Sequence, residues 1–327
     1  MAKLCYYIAM DITQAARQSE ELQSLQREAK AGRLANAILL SCKDQAYALA
    51  VANQLAAVVL DHGEMIDSEN SAKVFAGAHP DVKRYPASGK LLVSDSEDIV
   101  SESFIRPIFA DRKVFIIENI DNSMDAAQNK LLKVLEEPPA NVFHILTCKN
   151  IEQVLPTIRS RCNKTTLSKP SKALLQEFLS GRENAALIEG LCDGFIGKAI
   201  SLSQIQELPQ LFDCVMSAIC RLSSSRELLK YSQPLLKYSQ HFQLILEIFG
   251  IAIEDMLKIK TGHEGQICLK IPAADLAEAS EKYTISAIIE VRKLLGKAAK
   301  EQSYNGNVTL IIENLLLDIL EVKYLCK

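Results

Sequence analysis

An alternation through the first half of the chain limits its possible folds more than any other feature. Short apolar runs, Ala37-Ile38-Leu39-Leu40, Val114-Phe115-Ile116-Ile117 and Val142-Phe143-His144-Ile145-Leu146-Thr147, are separated by stretches of helical character. Runs this short, apolar at successive positions, read as strands buried on both faces. Residues 17–30 repeat Leu22, Leu25 and Ala29 at helical spacing, and the Ala-rich residues 46–60 favour a buried helix. Residues 123–136 open on Ser123 with Asp125 in the first turn, and Pro138-Pro139 ends that helix. Residues 61–90, broken by Gly77, Pro80, Pro86 and Gly89, read as loops and short strands, with a helix stub over 101–110. Pro156-Thr157-Ile158 reads as a short helix and Thr165-Thr166-Leu167 as strand. The pattern predicts an α/β module to about residue 167, a parallel sheet with helices on both faces.

The character changes at Ser168-Lys169-Pro170. Short helical stretches follow, over 171–180 and 184–191, then Asp193-Gly194-Phe195-Ile196-Gly197. From about 208 onward the chain reads as helical, with apolar stripes over 241–260, 284–302 and 307–324. A small helical lid over 168–207 and an all-α collar over 208–327 are expected. The echo LLKYSQP–LLKYSQH at 228–241 is a local duplication interrupted by Pro234, far short of a repeat array.

A chain of 327 residues, 48% apolar and 24% charged, can fill more than one core. Its net charge of −3 gives no overall basic signature for nucleic acid. No apolar run approaches the roughly 20 residues of a membrane span, so no membrane partner is expected. The opening MAKLCYYIAM predicts no signal peptide. Nine cysteines without a Cys-x-x-Cys pair point to free thiols in a reducing compartment, the cytoplasm.

The strand ending in Glu118-Asn119 resembles the metal-binding strand of a nucleotide hydrolase whose second acid has been lost. Asn119, a neutral amide, cannot serve as a general base. The turn between the first strand and its helix should hold a glycine-rich phosphate loop. There stand Ser41-Cys42-Lys43-Asp44, with no glycine, and Asp44 would face phosphates with the wrong charge. Both motifs are degenerate, so no bound ATP or magnesium is expected.

What remains intact carries a resemblance. Asn129-Lys-Leu-Leu-Lys-Val-Leu-Glu-Glu-Pro-Pro139 is followed by Ile158-Arg-Ser-Arg-Cys162. Gly32-Arg33-Leu34, His79-Pro80-Asp81 and Asn307 with Leu310 accompany them. With these motifs the chain resembles bacterial DNA polymerase III clamp-loader subunits of the AAA+ superfamily, over essentially its whole length and more weakly in the last third. Motor members of that family have the glycine loop, the Asp-Glu strand, usually four zinc cysteines, and a sensor arginine that would fall near Gly197-Lys198. This chain has no cysteine between Cys42 and Cys148, so no family-type zinc is expected.

The resemblance therefore implies a non-hydrolysing stator. Its Arg161, framed by Ser160 and Cys162, would act in trans as an arginine finger on a neighbouring motor's ATP. The implied partners are motor subunits of gamma/tau type, the delta subunit, the sliding clamp indirectly, and primed DNA within the complex. Arg159 is the alternative finger. A divergent but active motor and an AAA+-derived adaptor outside replication are the rival readings. Three further constellations have bland readings: Cys162 with His144 lacks an oxyanion signature, His79-Pro80-Asp81 reads as a capped turn, and Lys130 and Lys133 as solvated lysines.

Overall fold

The computed structural model describes residues 12–65, 67–269 and 273–325; the opening MAKLCYYIAM lies outside them. Five strands, β1 Ala37–Ser41, β2 Val82–Tyr85, β3 Lys113–Ile117, β4 Val142–Cys148 and β5 Asn163–Thr166, form one parallel sheet in the order β2-β3-β4-β1-β5. The central strands β1, β3 and β4 are buried at every position, whereas the edge strands β2 and β5 are only partly covered.

Alternation of side chains across the pleat sorts the core into two layers. Leu39, Phe115, Ile117 and Leu146 share one face with Ile99 and Leu131 from the helices Val93–Ser103 and Asp125–Glu136. The Ala-rich helix Gln45–Leu60 packs against β1, β3 and β4, and nearly its whole circumference is buried. Small side chains let its backbone approach the sheet closely. Each fully buried Leu or Ile contributes roughly 1.5–3 kcal/mol.

Several local expectations change. Residues 61–90 contain a helix, Glu69–Phe75, started by a Ser68–Ser71 capping box. The helix before β3 is Val93–Ser103, and no helix covers 104–110. That loop is instead held by Asp81, fully buried, whose carboxylate accepts from the N–H groups of Ile108, Phe109 and Ala110 at 2.6–2.7 Å. Burial alone would raise the Asp81 pKa, but these three hydrogen bonds carry it below the ordinary value. Ser123 does not cap the next helix. Its hydroxyl donates to the Ile120 carbonyl, and the N-cap is Met124. Pro234 does not end its helix, which runs Leu228–Leu236.

The chain divides into two compact units. The first comprises residues 1–178 with 194–200, and the second residues 179–193 with 201–327. Residues 168–207, expected as a lid, are thus shared between them. In the second unit the helices Leu208–Arg221, Phe242–Lys260, Ile285–Ser303 and Val308–Leu325 pack around Ile219, Phe249, Ile253, Val291 and Leu316. Two buried polar groups there are well partnered. Asp255 accepts from Cys268 N, Leu269 N and Lys258 Nζ, and Tyr283 donates to the Ile219 carbonyl.

Candidate functional site

In a parallel sheet, ligands sit beyond the carboxyl ends of the strands, where the strand order reverses. Here that place lies after β1, which is flanked by β4 and β5, with β3 one strand beyond β4. Cys42 N donates to the Cys148 carbonyl at 3.0 Å, continuing the ladder one residue beyond Ser41. Gln45 Nε2 then closes back on the Cys42 carbonyl at 2.7 Å, so the link into the helix is only Cys42-Lys43-Asp44. Burial pushes the Cys42 thiol up to about 11, and Lys43 is exposed.

Asp44 is the helix N-cap. One carboxylate oxygen accepts from Tyr47 N at 3.2 Å, and the other from Gly197 N at 2.7 Å. The N-terminus of a long helix is where a phosphate loop would hold phosphate, because unpaired N–H groups and the helix dipole converge there. In this chain its own carboxylate holds that position. The segment around Gly197 closes over it so tightly that a Cβ at 197 would lie 2.2 Å from Asp44 Oδ1 and 2.8 Å from Ala46 Cβ. The turn after β1 and the segment around Gly197 are therefore packed as one unit. Gly197→Ala is expected to destabilise the fold by about 1–3 kcal/mol through overpacking, read from urea midpoints.

Beyond β3, burial raises the Glu118 carboxyl above its usual range, with Arg84 partly opposing the shift. Asn119 has φ +51°, and its N–H donates to Thr147 Oγ1 at 3.1 Å. Asparagine tolerates this left-handed region better than most side chains do, so the residue suits the turn. The next acid, Asp121, spends one oxygen on Lys149 N and Asn150 N. Among the described residues no group of three His, Cys, Asp or Glu is placed to hold a metal ion.

The arginine motif is built differently. Ile158 and Cys162 are anchored in the core beside Leu131 and Leu135. Burial pushes the Cys162 thiol to about 12, which disables it as a nucleophile. The supposed base is elsewhere engaged: the His144 ring stacks on Phe115 and its Nε2 meets Ser103 Oγ at 3.2 Å. Ser160 Oγ donates to the Thr157 carbonyl at 3.0 Å and shapes the turn. Between these anchors Arg161 comes to the surface. Its Nε and Nη2 donate to Glu136 Oε2 at 3.1 and 2.9 Å, and its Nη1 to the Thr157 carbonyl at 3.0 Å. Arg159 turns instead to Glu152 at 2.8 Å, with its Nε buried and unpartnered. Lys130 pairs with Glu97, as a solvated surface lysine does. Glu136 was not singled out from the sequence, although an acid at a helix C-terminus opposes the dipole and is a signal in itself.

The profile of the family described as DNA polymerase III, delta subunit, matches residues 17–171, the region that carries the sheet, Asp44 and Arg161. The delta' subunit of DNA polymerase III from Bacillus subtilis is 23% identical over 269 residues, 77% of this chain and 79% of that protein. Over most of its length the chain is thus similar to a DNA polymerase III delta' subunit. The Escherichia coli delta' subunit is 34% identical over 108 residues, so the match spans about a third of each chain (32%). The fold agrees with a DNA polymerase III gamma-subunit-related protein of Thermotoga maritima, at TM-score 0.51 and 20% identity, covering 93% of this chain and all of that one. The likeness to that structure is one of fold, an α/β module followed by a helical C-terminal region.

Proposed function

We propose that this chain is the non-hydrolysing stator of a clamp loader, lending Arg161 to the ATP site of a neighbouring motor subunit while binding no nucleotide itself. The observation that carries this reading is the Asp44 carboxylate on the helix N-terminus, sealed by Gly197. Any nucleotide would have to displace a built-in anion and repel a carboxylate where it needs cations. Arg161 supports the second half, because its side chain keeps 30% of its surface exposed beside a structured turn.

The chemistry fits the residue. Phosphoryl transfer spreads charge over the oxygens in flight, and a guanidinium neutralises it with parallel N–H donors without surrendering a proton. In this reading residues 1–167 carry the finger, 168–207 form a lid and 208–327 a collar for assembly. The partners are gamma/tau-type motors and delta, and through them the sliding clamp and primed DNA. The setting is cytoplasmic; none of the described helices is long and apolar enough to cross a membrane.

Titration of the isolated chain with magnesium-ATP tests the first half. No saturable heat is expected at millimolar nucleotide. Tight, magnesium-dependent binding would instead favour a divergent motor. Failure to co-purify with motor subunits and clamp would favour an adaptor outside replication.

A further inference from the structure

The two motifs that frame the finger meet through one ion pair, and its geometry assigns a task to the glutamate. Glu136 is the last residue of the helix Asp125–Glu136, and Glu137 caps it before Pro138, so the backbone turns away just after the carboxylate. An acid there faces the negative end of the helix dipole, which costs roughly 0.3–1 kcal/mol. The pair it makes does little for stability. Its side chains are 57% and 30% exposed, and surface pairs contribute roughly 0–1 kcal/mol. A residue that opposes its helix and adds little to the fold calls for another role.

The contacts define one. A guanidinium has five N–H bonds. Glu136 Oε2 takes those of Nε and Nη2 on one edge, and the Thr157 carbonyl takes one from Nη1. One N–H remains on each terminal nitrogen. Those two are the donors a transferred phosphoryl group would meet. We propose that Glu136 is the positioning residue for Arg161, holding the inner edge of the fork so that its terminal nitrogens are presented outward. This rests on the reading of Arg161 as a finger. Thr157 contributes only a main-chain carbonyl, so Glu136 is the side chain through which this aim can be changed.

ATP turnover at the adjoining motor site of the reconstituted complex, resolved from the other motors and with variants carried by this subunit alone, tests it. Glu136→Ala is expected to lower kcat about ten- to a hundredfold, as a misaimed catalytic group does. KM for ATP should stay within about twofold, because ground-state binding belongs to the motor's own pocket. Glu136→Gln should recover most of the loss, since its amide oxygen can accept the same two N–H bonds. Adding Glu136→Ala to Arg161→Ala should cost nothing further, because the two act as one unit. Wild-type turnover in Glu136→Ala, with turnover lost in Arg161→Ala, would overturn the positioning role and leave the finger standing. Faster turnover in Glu136→Ala would also overturn it, because the glutamate would then be withholding the fork. An equal further loss in the double variant would place Glu136 on a separate path and overturn it too. Unchanged turnover in Arg161→Ala would remove the finger and, with it, this proposal.

Discussion

Replacing Arg161 by alanine is expected to slow ATP turnover at the adjoining motor site by about 10³–10⁵-fold, about 4–7 kcal/mol of barrier. Assembly should survive. The side chain is partly exposed, its partners are one surface glutamate and one carbonyl, and the turn is anchored by Ile158 and Cys162 in the core. Arg161→Lys should not restore the rate, because an ammonium presents a point charge where the fork presents two parallel donors. Single-turnover hydrolysis in the reconstituted complex reads this directly. It separates the adjoining site from motors served by other subunits. Loss of the complex on gel filtration, in place of loss of rate, would make the arginine structural.

A second large effect concerns acid stability and arises at His144. The ring lies in the centre of the sheet, stacked on Phe115 at 5.3 Å. The hydroxyl of Ser103 donates to the Ile99 carbonyl at 2.7 Å, which leaves its oxygen to accept from His144 Nε2. Nδ1 is then a bare lone pair with no partner. Protonation would place an N–H in apolar surroundings without an acceptor, and desolvation accordingly lowers the pKa from 6.5 to about 4. Below pH 6.5 the unfolded chain takes up a proton that the folded chain refuses. Stability present above pH 6.5 is thus lost as pH falls toward 4, by about 2 kcal/mol at pH 5 and about 3 kcal/mol in all. Urea midpoints of the native chain and His144→Leu, compared at pH 7.5 and 5, isolate the term. Leucine should remove most of this slope. Equal slopes in both proteins would mean that His144 is protonated in the fold.

The parts of the fold that were readable from sequence are those whose burial is uniform. β1, β3 and β4 are apolar at nearly every position, and the helix Gln45–Leu60 is apolar almost all round. Glu69–Phe75 was missed because only Ser71 and Val74 are buried in it, so its start is marked by a cap and not by a stripe. The opposite error arose at 104–110. Phe104, Ile105, Ile108 and Phe109 look like a core segment, yet all are exposed, and a carboxylate far back in the chain fixes the backbone of residues 108–110.

The candidate site divides in the same way. Ser160, Arg161 and Cys162 are adjacent and readable as a motif. The closure of Asp44 by Gly197 joins residues 153 apart, and no local pattern announces it. From sequence Asp44 looked like a wrong charge facing phosphate; in the fold it is an anion in the right place, supplied by the chain. Asn119 likewise looked like a lost catalytic acid, and the left-handed backbone at that turn gives asparagine a reason to be there.

The central claim is that Arg161 completes a pocket belonging to another subunit. A structure of the assembled complex trapped with magnesium-ADP and aluminium fluoride measures this most directly. The account predicts the terminal nitrogens of Arg161 within about 3 Å of the trapped phosphoryl mimic, with Nε still on Glu136. A guanidinium lying against its own Glu136 with no nucleotide beside it would contradict the account.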